Sequence, residues 1–148
     1  MKNILYLLGI TAVAYGVYTW YQKKSALVSQ VSVGIDNAII KLGFASTEID
    51  FNLSITNPSA GEQMIKSFTA DVLYNNLPLG KINYLQPINI LPTSYKQIQV
   101  PMVVSNFDLL KNFPGLLSTS LSGVKVDVNG YLNTDLGAIP FNKSVTLI

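Results

Sequence analysis

Residues 47–57 read TEIDFNLSITN, and the period of two in that run decides the fold class. Ile49, Phe51, Leu53 and Ile55 fall on one side of an extended chain, and Glu48, Asp50, Asn52 and Ser54 fall on the other. One face is expected to be buried and one wet, as in an antiparallel sheet. Asn57-Pro58 stops the run, because proline has no ladder N–H and restricts the residue before it.

The same reading extends toward the C-terminus. Ile65 to Leu73 reads IKSFTADVL, meets a turn at Tyr74-Asn75-Asn76, and returns through Leu77, Leu79 and GKINYLQ, a predicted hairpin. Between Pro87 and Pro101, Ile98 and Val100 alternate with Gln97 and Gln99. The prolines are therefore expected at the ends of this strand and not within it. From Asn106 to Leu121 the alternation breaks. Phe107, Leu109, Leu110 and Phe113 suit one or two helical turns, with Asn106 as the cap and Pro114 and Gly115 as the interruption. A short, broken helix is expected over one end of the core. The last section, VKVDVNGYLNTDLGAIPFNKSVTLI, has two runs around Thr134-Asp135-Leu136-Gly137 and predicts a final hairpin. Asn129-Gly130 is an alternative turn, but equal arm lengths favour a bulge at Gly130. No period of 20 to 50 residues repeats.

Toward the N-terminus the pattern is different. Ile4 to Tyr21 reads ILYLLGITAVAYGVYTWY without a charge, and at about 1.5 Å per residue a helix of that length spans roughly the hydrocarbon thickness of a bilayer. Ile4, Leu5, Leu7, Leu8, Ile10, Val13 and Val17 supply the apolar body. Tyr18, Trp20, Tyr21, Lys23 and Lys24 close it as an aromatic belt followed by snorkelling cations. A single transmembrane α-helix over residues 1–24 is expected, followed by one domain over residues 25–148. Ala12-Val13-Ala14 also fits a signal-peptide cleavage pattern, but the apolar run continues past it. A buried core helix is the third reading, and a domain this small offers it little enclosure. Orientation is a tie, with the α-amino group and Lys2 on one side and Lys23 and Lys24 on the other. Gly9 and Gly16 share a face on which another helix has room to approach.

Composition narrows the function. The chain has 148 residues, of which 49% are hydrophobic and 12% charged, a low charged fraction that suits a membrane or an assembly. All ten basic residues are lysines, scattered along the chain, and the net charge is +2, so no nucleic-acid footprint is expected. Cysteine and histidine are absent, which removes thiolate and imidazole metal sites, Cys/His pairs and the Ser-His-Asp triad. No metal, cofactor, catalytic residue or small-molecule substrate is expected.

The remaining candidates read more simply as structure. Glu48 and Asp50 at i, i+2 read as the wet side of a sheet before they read as an acid pair. Asp127 and Asp135 flank a turn region, where aspartate commonly bonds local backbone. No GxGxxG or Walker-type loop occurs. Tyr6, Tyr15, Tyr18 and Tyr21 belong to the N-terminal run, and Tyr74, Tyr84, Tyr95 and Tyr131 are dispersed. Asn52-Leu53-Ser54 and Asn142-Lys143-Ser144 match a glycosylation sequon.

The run SITNPSAGEQMIKSFTADVLYNNLPLGKI, followed by INILPTSYKQIQVPMVV and VKVDVNGYLNTDLGAIPFNKS, resembles the late embryogenesis abundant type 2 family, also called the water stress and hypersensitive response domain. The features that carry it are Asn57 and Pro58 at a strand end, Gly80, Ile90 and Pro92, Pro101, and the terminal Gly130, Gly137, Ile139 and Pro140. The resemblance covers roughly residues 30–148. It implies an all-β, seven-stranded antiparallel β-sandwich of fibronectin-like shape with a short helix, an N-terminal membrane anchor or signal as in many members, and no catalytic residues to carry over.

Two functions are expected from this. The first is a non-enzymatic, single-pass membrane protein whose domain contacts other proteins of an assembly, such as a linker between the lipid and the capsid of a membrane-containing virion. The alternative is a membrane-anchored protein protective in stress or desiccation, as the resemblance implies.

Overall fold

The computed structural model describes residues 13–23, 26, 30–118 and 121–148. Residues 13–23 are helical (α1) and carry Val13, Tyr15, Val17, Tyr18, Trp20 and Tyr21 exposed. None of these side chains belongs to the core of the domain. Ile4, Leu5, Leu7, Leu8, Ile10 and Lys24 lie outside the described residues. Among the described residues no helix is long and apolar enough to cross a membrane.

The domain contains strands β1 (Ser32–Leu42), β2 (Ser46–Asn57), β3 (Gln63–Tyr74), β4 (Leu77–Tyr84), β5 (Ile88–Ile90) and β6 (Ser94–Ser105). Helices α2 (Asn106–Asn112) and α3 (Pro114–Ser118) follow, then β7 (Lys125–Thr134) and β8 (Gly137–Thr146). These strands form two antiparallel sheets, β1-β2-β6 and β4-β3-β7-β8, with β5 beside β3 in the second. Among the described residues there are eight strands where the resemblance implies seven, and the shortest, β5, has three residues.

Both sheets turn one face into a common apolar cluster. Ile49, Phe51, Leu53 and Ile55 of β2 are buried as the alternation predicts, and Phe68 and Val72 of β3 and Val128 and Leu132 of β7 meet them in the same cluster. Burying side chains of this size stabilises by about 1.5–3 kcal/mol each. At one side the sheets are joined by the chain's last residues: Leu147 bridges Ala38 in parallel, and the Ile148 N–H donates to the Ala38 carbonyl at 2.9 Å.

The predicted hairpins form. β3 and β4 are joined through Asn75 and Asn76 at φ 50° and 64°, the left-handed pair that a two-residue hairpin turn of primed type requires. β7 and β8 pair from Thr134↔Gly137 outward.

Four local expectations are corrected. Pro101 lies inside β6, and Pro78 and Pro140 lie inside β4 and β8. All three are outermost strands, where a missing N–H faces no ladder partner and the proline blunts the edge. Gly130 is no bulge: it pairs in register with Ala70 and Phe141. The register shift between β3 and β7 falls at Ile65/Ser67 instead. Asp50 is only 2% exposed, so the polar side of β2 is not uniformly wet. Asn106 is the first residue of α2, not its cap; Ser105 holds the cap position and makes no side-chain capping bond.

Candidate functional site

The Asn106 side chain has another task, and it defines one end of the domain. Its Nδ2 donates to the Gly43 and Phe44 carbonyls at 3.0 and 3.1 Å, and its Oδ1 accepts from Thr47 Oγ1 at 2.7 Å. The Asn106 backbone N–H donates to the Ala45 carbonyl at 3.0 Å. Four hydrogen bonds thus hold the β1–β2 turn against the start of α2. The loop so fixed presents Phe44 fully to solvent, at 105% relative exposure, with Phe107 at 72% on the adjoining helix. Leu42, Val103 and Leu110 are exposed at the same end. Helix α2 is itself anchored, because Leu109 is buried and the Phe113 ring meets Tyr74 edge-on at 5.9 Å.

A fixed apolar end of this kind marks a contact surface more often than scattered apolar residues do. The sequence pattern put Phe107 and Leu110 on one or two helical turns at an end of the core and did not single out Phe44. The available signal was a large aromatic in the short Gly43-Phe44-Ala45 connection, where polar turn residues are the rule.

The outer face of the β1-β2-β6 sheet is a hydrogen-bonded polar ladder. Lys41 pairs with Glu48 at 3.2 Å and with the buried Asp50, and Gln99 Nε2 donates to Asp50 at 2.6 Å. Ser54 and Gln97 both donate to Asp36, and Asn52 to Asn37. The hydrogen bond to Asp50, and secondarily that to Glu48, holds the Lys41 ammonium above its ordinary value of 10.5. Glu48 and Asp50 are thus brought together around one lysine. Asp127 and Asp135 are not brought together. Asp127 accepts from Ser144 near the start of β7, while Asp135 pairs with Lys66 at 2.6 Å beyond its end. Among the described residues no group of three or more His, Cys, Asp or Glu is placed to hold a metal ion.

The motif residues cluster by structural task. Asn57 is fully buried, and its Nδ2 reaches the carbonyls of Gly61, Leu91 and Ile90 at 2.8, 3.1 and 3.3 Å. Its Oδ1 accepts from Ser59 Oγ at 2.6 Å. One side chain therefore ties the end of β2 to the loop after Pro58 and to the loop of Pro92. Ile90 is buried beside it. Gly80 sits where β4 approaches β6, and a Cβ there would stand 2.6 Å from Met102 Sδ. Ile139 packs against the core opposite Leu132.

This geometry defines a mostly β module of two antiparallel sheets with a few short helices. Residues 52–145 match the family described as late embryogenesis abundant protein, and the chain belongs to that family. Its fold is similar to a solution structure from Arabidopsis thaliana, at 19% identity and TM-score 0.51, covering 76% of each chain. It is also similar to a crystal structure of a protein from Archaeoglobus fulgidus, at 12% identity and TM-score 0.50, covering 78% of this chain and 94% of that one. A family 2 glycosyl hydrolase from Bacteroides cellulosilyticus is similar at 12% identity and TM-score 0.52, over 79% of this chain but 15% of the hydrolase. At these identities the likeness is one of fold. Among curated protein sequences, none matches this chain.

Proposed function

We propose that the protein is a non-enzymatic factor of stress or desiccation protection, held at a lipid bilayer by its N-terminal segment and acting through a fibronectin-like β-sandwich. The observation that carries this reading is membership of the late embryogenesis abundant family over residues 52–145. The geometry supplies a means. Phe44 and Phe107 are clamped outward at one end of the domain, while the N-terminal segment joins at the other end of β1, whose 11 residues span about 36 Å. A tethered domain so built holds its apolar end away from the bilayer, toward partially unfolded client proteins. The capsid-linker expectation rests on the same tether but has no comparable support from the family.

The test is to dry and rehydrate a labile enzyme with the full chain in lipid vesicles. The enzyme is expected to retain more activity than with an equal mass of an inert globular protein. Equal retention would reject the protective function. The tether is tested separately: Leu8→Arg is expected to disfavour insertion by about 2.5–3.5 kcal/mol. Resistance of that variant to alkaline extraction from membranes, equal to the wild type, would reject the bilayer anchor.

A further inference from the structure

The outer face of the second sheet carries a groove that the protective reading does not use. By register, Lys81, Asp71, Asn129 and Asn142 form one rung across β4, β3, β7 and β8, and Tyr131 and Pro140 stand side by side in the next. Two depressions, of about 240 and 480 Å³, share Asp71, Asn129 and Tyr131 in their walls. Both are shallow and open to solvent, a shape that admits a ligand lying flat on the sheet. Tyr131 is 53% exposed and offers a ring at the floor of a sheet face.

Asn129 Oδ1, in the middle of this rung, is buried without a hydrogen-bond partner. A buried acceptor without a donor is a standing penalty on the folded state, and turning the amide toward a hydroxyl donor in the groove relieves it. The neighbouring groups set the class of ligand. Lys81 is paired with Asp71 at 3.6 Å, so the groove offers no free cation cluster for phosphate. Its walls set the amide and carboxylate groups of Asn129, Asn142 and Asp71 beside the apolar surfaces of Tyr131, Pro140 and Phe141, the mixed lining that a sugar ring with one C–H face requires.

The geometry points to a neutral carbohydrate. A pyranose ring lays its C–H face on Tyr131, and its hydroxyls bond to Asp71, Asn129 and Asn142. This site is independent of the apolar end formed by Phe44 and Phe107.

The experiment is a titration of the ¹⁵N-labelled full chain, in a detergent without a sugar head group, with maltohexaose, cellohexaose and chitohexaose. At least one is expected to shift the side-chain amide signals of Asn129 and Asn142, with a Kd on the order of 1 mM. Tyr131→Ala should weaken that binding about tenfold or more, whereas Tyr131→Phe, which keeps the ring, should bind as the wild type does. The inference is overturned if none of the three saccharides moves those signals at about ten times that concentration, or if Tyr131→Ala binds unchanged.

Discussion

Replacing Asn57 by alanine is expected to destabilise the domain by about 3 kcal/mol, because the side chain serves several buried backbone groups at once. The carbonyls of Gly61, Ile90 and Leu91 lose their donor and Ser59 loses its acceptor. Asn57 itself has no solvent contact through which water enters in its place. Asn57→Asp should be at least as damaging, since it sets a carboxylate against three carbonyl oxygens. Urea unfolding measures both: the midpoint should fall with little change in the slope that reports the surface exposed. A loss below about 1 kcal/mol in Asn57→Ala, the worth of a single ordinary hydrogen bond, would show that the tie between the two loops is dispensable.

Gly130→Val should be comparably severe. A Cβ at this position would lie 2.5 Å from Ala70 Cβ and closer still to the Thr69 carbonyl oxygen, inside the hydrogen-bonded ladder where neither can withdraw. The bare position also explains a contact that spans three strands. Phe141 lies opposite Gly130 on β8, and its ring stacks on Phe68 of β3 at 4.9 Å with an interplanar angle of 19°. A side chain on the intervening β7 would stand between them. Overpacking of this kind costs about 1–3 kcal/mol, and the backbone contact places Gly130→Val at the upper end. Gly130→Ala should cost more than about 1 kcal/mol in the same urea measurement. A change within about 0.5 kcal/mol, as at an unconstrained surface site, would contradict the packing described.

The parts of the fold written in local periodicity were legible in the sequence. The alternation of residues 47–57, the stop at Asn57-Pro58, the Asn75-Asn76 turn and the Thr134–Gly137 turn each follow from neighbours along the chain. β1 escaped because its alternation slips. A register irregularity between Ile35 and Asn37 moves the inward positions from Val33 and Ile35 to Ala38 and Ile40. Pro101 was misplaced because whether a strand lies at an edge is a property of the sheet and not of the strand. Asp50 reads as wet in sequence, and only the neighbouring strands bring Lys41 and Gln99 to enclose it.

The candidate surfaces were harder to read for the same reason. Asn106 looks like a helix cap until the β1–β2 turn is folded beside it. Its bonds to Gly43 and Phe44 are what turn two phenylalanines, 63 residues apart in the chain by the Asn106–Gly43 separation, into one exposed end. Asn129 and Tyr131 lie on one strand, but the groove beside them needs Asp71 from β3 and Phe141 from β8. Family motif residues proved mainly to be structural ties, as Asn57 and Gly130 illustrate, and they say little about which surface acts.

The measurement that bears most directly on the account compares the full chain with its Phe44→Ser, Phe107→Ser double variant in the drying assay. Both side chains are exposed, so the variant should keep its urea midpoint to within about 0.5 kcal/mol of stability for each substitution. The account predicts that the wild-type chain preserves the labile enzyme better than an inert protein and that the double variant falls to the inert level. A folded double variant that protects as well as the wild type would contradict it.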